Sequence, residues 1–381
     1  MAVAVVSEFN PFHNGHKYLL NTAKSTTGEP VIAVMSGSFT QRGEVALTDK
    51  FERTRTALEN GADLVVELPT VYAVSNAQRF ARCGVHIAKS FDCVNYLAFG
   101  CESDNLENLM NASFAIDNSK VKEILKAEMK SGNYYPRAVE KAVREVFGDE
   151  TADMLKTPNN ILAVEYIRNL KDSDIKPLPV MRKGTAHDST EISGEFASAS
   201  QIRNLLRNNE SAEKYLPKVP TGITYPENLE RATLYKLRTM SAVNIAQLPD
   251  VNEGLENRIY DAIKKYNSVE EIINAVKTKR YTHARLRRII TCSLLGITEE
   301  HQTTPVEYAR ILGFNKSGAE LLKSCKLEVV NSVAKGMKLG GNVRTLLEKD
   351  ILATDIAYIA FKEIKGCGND YTTGVIRLNN S

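Results

Sequence analysis

The sequence has six cysteines but no C-x-x-C pair, which argues against a structural zinc site. It has no apolar run long enough to cross a bilayer. Its opening, "MAVAVVSEF", lacks the basic residues of a secretory leader and reaches Glu8 too early for one. The thiols of Cys83, Cys93, Cys101, Cys292, Cys325 and Cys367 are therefore expected to be reduced and mostly buried, in a cytoplasmic protein with no membrane partner. Low-complexity tracts and internal repeats are also absent, which excludes a disordered linker or a repeat array. Nor does one charge dominate: 49 Lys and Arg stand against 46 Asp and Glu, for a net +3. That balance permits nucleic-acid binding without arguing for it, so the placement of charge must decide. Histidine is scarce too, six in 381 residues, yet two of them stand three positions apart near the start.

What is present is enough apolar residue, 43%, for a sizeable core, over a length that points to two domains or one elaborated domain. The first half alternates. "VAVVSEF" (Val3–Phe9), "PVIAVMSG" (Pro30–Gly37), "DLVVELP" (Asp63–Pro69), "VNYLAFG" (Val94–Gly100) and "KPLPVMRK" (Lys176–Lys183) read as strands. Between them lie helices at Lys17–Ser25, after a Thr48 cap, near Asn76–Ser90 and at Pro158–Leu170, where proline opens the helix. Short apolar strands alternating with helices predict a parallel sheet covered on both faces. Ligands of such sheets bind beyond the carboxyl ends of the strands. After about Leu206 the apolar spacing turns mostly helical, and the last stretch from Asp350 reads as one more helix and an extended tail. The expected fold is thus α/β, a Rossmann-like parallel sheet over residues 1–206 followed by a second, mainly α-helical domain over 207–381.

"SEFNPFHNGHKYLL" (Ser7–Leu20) falls where the first strand becomes a helix. Backbone N–H groups and the positive end of the helix dipole meet there, which favours an anion. Gly15 lets backbone approach a phosphate, and His13 and His16 share one helix face from which both reach it. Neutral or protonated, they can stabilise charge gathering on a departing pyrophosphate. A metal site fits worse, because the spacing is not H-E-x-x-H and no carboxylate or thiol cluster completes it. A pair of solvated loop histidines is the remaining reading. "FNPFHNGH" resembles the H-x-G-H signature of the nucleotidyltransferase superfamily, which includes small adenylyltransferases and class I aminoacyl-tRNA synthetases. That family's second motif is serine-rich and ends in arginine on a late helix; "SASQIRNLL" (Ser198–Leu206) occupies its place, with Ser198, Ser200 and Arg203 as phosphate ligands. By themselves, Ser198 could simply cap a helix and Arg203 could be solvated.

Over nearly its whole length the sequence is similar to the bacterial tRNA(Met) cytidine acetate ligase family, through "EFNPFHNGH", "VMSGSFTQRGE", "GADLVVELP", "FGCES", "PNNIL", "SASQIR" and "KTKRYTHARLRRI". The resemblance implies that ATP and acetate give acetyl-adenylate, and that the acetyl group passes to N4 of the wobble cytidine of elongator tRNA(Met). It implies an ATP site made of the turn residues Val6, Ser7, Glu8, Phe9, Asn10, Pro11, Phe12, His13, Asn14, Gly15, His16, Lys17, Tyr18 and Leu19, with Gly100, Asn159 and Arg182. His13 and His16 are the catalytic candidates. Without the resemblance, Gly100 could merely turn the chain, Asn159 cap its helix, and Arg182 be a solvated strand end. Magnesium is compatible with ATP handling, but no dedicated carboxylate site for it is evident. "QRGE" (Gln41–Glu44) receives no role.

"KTKRYTHARLRRI" (Lys277–Ile289) carries Lys277, Lys279, Arg280, Arg285, Arg287 and Arg288 with no acid among them. The nearest acids, Glu270, Glu271, Glu299 and Glu300, flank it, so the charge reads as unpaired and available to a tRNA backbone. Tyr281 and His283 are interleaved and could stack on a base. A solvated helix face is the plainer reading. His86, His187 and His301 are expected to be structural or solvated. Two rival functions remain: a small-molecule adenylyltransferase that joins AMP to a phosphorylated acceptor without RNA, and a non-catalytic RNA-binding protein.

Overall fold

The computed structural model describes residues 1–103, 105–183, 194–252 and 254–378; His187 lies outside them. The five expected strands are Ala2–Ser7 (β1), Val31–Ser36 (β2), Leu64–Leu68 (β3), Val94–Cys101 (β4) and Lys176–Met181 (β5). They pair in parallel in the order β5-β4-β1-β2-β3. Alternation along β1 explains why both faces are covered. Ala2, Ala4 and Val6 join one core with Phe80, Ile87, Ala163 and Val164 from the helices Ala77–Lys89 and Pro158–Leu170. Val3 and Val5 join another with Leu20, Ala23, Ala57 and Leu58 from the helices Asn14–Thr27 and Lys50–Glu59. A Cβ on Gly84 would lie 2.7 Å from a Val6 methyl, so only glycine lets the Ala77–Lys89 helix press this closely on β1.

Because β2 flanks β1 on one side and β4 on the other, the strand order reverses between β1 and β4. A crevice opens beyond their carboxyl ends, at Ser7 and Gly100.

The second half is mainly helical, as expected, but it also returns three strands to the same sheet. Tyr308–Asn315 (β6) pairs antiparallel with β3, and both Glu328–Val330 (β7) and Ile376–Leu378 (β8) pair with β6. Residue 206 therefore does not divide the sheet, and the helix Ala199–Arg207 runs through it. β6 escapes a reading by apolar spacing because "YARILGFN" buries an arginine. Arg310 lies 2.9 Å from Glu67 on β3 and 2.5 Å from Asp370, and Lys50 reaches the same two carboxylates at 2.8 Å each. Four buried charges that neutralise one another make a polar strand position tolerable, and removing any one would leave a net charge in the buried cluster. The last long helix begins at Gly341, well before Asp350, a one-turn helix follows at Asn369–Thr372, and the tail supplies β8. Asp49, not Thr48, caps the second helix, accepting from Phe51 N–H at 2.7 Å. None of the six cysteines forms a disulfide; Cys83, Cys101 and Cys292 are buried and Cys367 is exposed. No helix among the described residues is long and apolar enough to cross a membrane.

Candidate functional site

Between Ser7 and Asn14 the chain turns on an apolar pad. Phe9 takes a φ of 49°, the Asn10–Pro11 peptide is cis, and Phe9 and Phe12 are buried with ring centroids 4.9 Å apart. His16 stands edge-on to Phe9 at 5.0 Å. His13 caps the helix that follows: its Nδ1 accepts from Gly15 N–H at 3.0 Å, and His16 Nδ1 accepts from His13 N–H at 3.3 Å. This is a capping box built with imidazoles in place of a hydroxyl and a carboxylate. An accepting Nδ1 bears no proton, so in each neutral ring the proton sits on Nε2. Burial, with smaller contributions from Arg182 and Arg203, pushes His13 down to about 3. Burial, then His13 and Arg182, holds His16 well below the usual histidine range. The pair is therefore two neutral donors with ring centroids 3.9 Å apart, which narrows the sequence reading of either charge state. Gly15 serves the cap as well as any close ligand approach, since a Cβ there would meet His13 Cε1 at 2.8 Å.

The turn opens on a cavity of about 750 Å³ that gathers most of the expected ATP-site residues. Val6, Ser7, Glu8, Asn10, His13, Gly15, His16, Tyr18 and Leu19 line it, joined by Gly100, Asn159, Arg182, Ser198, Ser200 and Arg203. Phe9, Pro11, Phe12, Asn14 and Lys17 do not line it. The two phenylalanines are the pad beneath the turn, and Lys17 is exposed. Asn14 is spent on structure, with Nδ2 donating to the carbonyls of Glu195 and Lys214 at 3.0 Å each.

The remaining ligands are held from below. Arg203 donates to the Asn10 carbonyl at 2.9 Å and to Ser200 Oγ at 3.1 Å, which ties the serine motif to the histidine turn. Ser198 is the cap of its helix, in a reciprocal box with Gln201, so the structural reading of this serine is realised even though it lines the cavity. Gly100 faces Arg182, whose Cγ would touch an added Cβ at 3.6 Å. Asn159 Nδ2 donates to Glu102 Oε1 at 2.7 Å, and Glu102 is also the counter-charge to Arg182. Burial lowers both arginines from their ordinary range, which sharpens their pull on an incoming anion. Glu102, in the quoted "FGCES", was missed as a site residue; its signal was its place just past a strand's carboxyl end. Among the described residues, no group of three or more His, Cys, Asp or Glu could hold a metal ion.

The basic stretch meets the same cavity at Arg280, Arg285 and Arg288, whereas Lys277, Lys279 and Arg287 lie off it. The expectation that its charge is unpaired is corrected by partners distant in sequence. Arg285 donates to the Asp250 carbonyl at 3.0 Å and to Asn252 Oδ1 at 2.9 Å. Arg288 lies 3.4 Å from Asp250, and Arg287 pairs with Glu44. Tyr281 is buried, with the Arg285 guanidinium 5.2 Å from its ring centre, and His283 pairs with Glu270 at 3.0 Å. The Tyr281 ring is thus withheld from stacking, whereas the His283 side chain is partly exposed. The unassigned "QRGE" loop is the link between the halves. Gln41 N–H donates to Glu8 at 2.6 Å, Glu44 faces both Arg203 and Arg287, and Thr291 donates to the Gly43 carbonyl at 2.7 Å.

With this geometry, comparison with known proteins is direct. The HIGH nucleotidyl transferase family matches residues 1–370. A tRNA(Met) cytidine acetate ligase of Thermoanaerobacter sp. (strain X514) is 39% identical over 401 residues, covering 99% of each chain. The chain belongs to the tRNA(Met) cytidine acetate ligase family. A further ligase of this family, from Clostridium kluyveri, is 37% identical over 92% of each chain. The crystal structure of apo Thermotoga maritima TmcAL superposes with a TM-score of 0.93 at 30% identity, covering 100% of both chains. The same protein bound with alpha-thio ATP gives a TM-score of 0.90.

Proposed function

We propose that this protein is an ATP-dependent ligase that activates acetate as acetyl-adenylate and transfers the acetyl group to N4 of the wobble cytidine of elongator tRNA(Met). The observation that carries the reading is the neutral His13–His16 pair, held by its own capping box at the sheet's switch point, in one cavity with Arg182, Arg203 and arginines of the second half. Family membership and the ATP analogue bound to the Thermotoga maritima relative support the same reading.

Acetate is ionised at neutral pH and needs no base to attack the α-phosphate. The Nε2–H groups of His13 and His16 donate to phosphate oxygens as charge builds on the departing pyrophosphate. Arg182, Arg203 and the N-terminus of the helix Asn14–Thr27 complete the electrostatic cradle, and the catalysis is positioning plus preorganised charge. Magnesium, where the reaction uses it, would be held by the ATP phosphates and would neutralise their charge, since no cluster of carboxylates among the described residues could hold it. The adenylating site stands chiefly on residues 1–206, while residues 207–381 complete the sheet and carry the tRNA-gripping residues Lys277, Lys279, Arg280, Arg285, Arg287 and Arg288. A tRNA substrate sets the work in the cytoplasm. The test is ATP–pyrophosphate exchange with a panel of small carboxylates, with and without tRNA. Exchange that requires acetate but not tRNA, followed by acetylation of tRNA, is expected. Acetylation that proceeds from acetyl-CoA with ATP dispensable would refute the proposal.

A further inference from the structure

Once the adenylate exists, the chemistry changes. The N4–carbon bond forms at the acetyl carbonyl, the bond from that carbon to the AMP phosphate oxygen breaks, and AMP leaves with the electron pair. One of the two N4 protons must then pass to a base. The exocyclic amine is conjugated with its ring and is a weak nucleophile, so removing this proton as attack proceeds has a large effect on rate. The histidines do not serve, because each Nδ1 is occupied by a backbone N–H and each Nε2 already bears its proton.

Among the described residues, four carboxylates line the cavity: Glu8, Glu44, Glu165 and Asp250. Glu44 is paired with Arg287 and faces Arg203 at 3.8 Å. Asp250 lies 3.4 Å from Arg288, and both oxygens of Glu165 accept from Arg168 at 2.9 Å. Glu8 differs. One of its oxygens accepts from Gln41 N–H at 2.6 Å, and no Lys, Arg or His forms an ion pair with it among the described residues. We propose that Glu8 is the general base that takes the N4 proton during acetyl transfer, an inference that rests on the function proposed above.

Its place suits the task. Glu8 lies between the end of β1 and the histidine pair, and its hydrogen-bond donor belongs to the loop gripped by the helix His283–Leu295. It therefore stands where the phosphate side of the cavity meets the side to which the second half contributes. The charged and titratable groups around it are Arg203 from the serine-motif helix, Arg42 and Glu44 from the loop, Tyr166 from the helix Pro158–Leu170, and Arg53 from the helix Lys50–Glu59. Burial raises its carboxyl above the usual range, against the Gln41 N–H, Arg203 and Arg42, which favour the ionised form. A base shifted toward neutrality is a better proton acceptor than an ordinary carboxylate.

The experiment separates the two half-reactions in the full-length protein. Glu8→Gln retains an oxygen for the Gln41 N–H but cannot take up a proton, and Glu8→Asp retains the carboxylate. Single-turnover acetyl transfer from enzyme-held adenylate to tRNA should fall about a hundredfold more in Glu8→Gln than acetate-dependent pyrophosphate exchange does. Glu8→Asp should recover part of the difference. The wild-type transfer rate should climb with pH until the base is ionised, and Glu8→Gln should lose that rising limb. Equal losses in both half-reactions would overturn the inference and make Glu8 an ATP-site residue only. So would an unchanged transfer rate, or a rising limb that survives in Glu8→Gln. Wild-type protein that fails acetate-dependent exchange in the parallel assay would refute the proposed function itself and this inference with it.

Discussion

The histidine turn and the basic stretch are both short, polar and strongly patterned, yet they relate to the fold in opposite ways. In the turn, the decisive contacts are local: His13 to Gly15 and His16 to His13 lie within three residues. The spacing H-x-G-H therefore already contains its own structure. In the basic stretch the decisive contacts are remote: Asp250 answers Arg285 and Arg288, and Glu44 answers Arg287 across the molecule. Nothing within the stretch announces them. A motif that satisfies its own backbone can be read from sequence, whereas a charge run shows only which charges need partners.

The largest effect should come from breaking the turn's chemistry while sparing its structure. His13→Asn keeps a good cap acceptor but removes the Nε2–H, and His16→Ala removes the second donor. Each should slow acetate-dependent pyrophosphate exchange about a hundredfold, since losing one preorganised donor costs about 3 kcal/mol. Wild-type exchange by either folded variant would show that the pair is only a cap.

The same contrast accounts for what could be read elsewhere. Strands β1 to β4 were legible because buried parallel strands are mostly apolar runs bounded by turn residues, and β5, an edge strand largely half-buried or exposed, still carries Leu178, Val180 and Met181. β6 was not, because Arg310 breaks its run and is acceptable only once Glu67 and Asp370, remote in sequence, surround it. Ser198, Ser200 and Arg203 were placed by motif order, but the bond from Arg203 to the Asn10 carbonyl joins parts of the chain that sequence cannot bring together. The "QRGE" loop had no periodicity to interpret. Its role lies in Gly43, where a Cβ would meet the Arg288 backbone at 2.9 Å, and in Glu44 between two arginines.

A pH titration sharpens the difference at the level of stability. An unfolded histidine binds its proton below about 6.5, whereas folded His13, buried beside Arg182 and Arg203, does so only near about 3. Above 6.5 neither state is protonated and the contribution vanishes. As pH falls between those values the unfolded state gains a proton that the folded state refuses, so stability drops. From pH 7.5 to pH 5.5 the loss assigned to His13 is about 1.4 kcal/mol. Urea unfolding at both values should show His13→Asn losing less stability than wild type by roughly that amount. Equal losses would mean that the ring titrates normally in the folded protein.

The smallest effect concerns which basic residues remain available to RNA. Lys277 and Lys279 are exposed, and neither forms an ion pair with a described residue. Arg285, by contrast, holds the Asp250 carbonyl and Asn252 and covers the buried Tyr281. The two kinds of substitution should therefore separate binding from stability. Replacing Lys277 and Lys279 together with alanine should leave thermal unfolding unchanged while weakening tRNA binding several-fold. Each phosphate contact contributes about 0.7–0.9 to the slope of log affinity against log salt, so the double variant should flatten that slope by up to about 1.8. Arg285→Ala should instead lower stability by about 1 kcal/mol, because it leaves a partly buried carbonyl without its donor. Acetate-dependent exchange, which belongs to the turn, should survive the lysine changes. An unaltered salt slope in the double lysine variant would confine RNA binding to other residues and leave this stretch as a brace between the two halves.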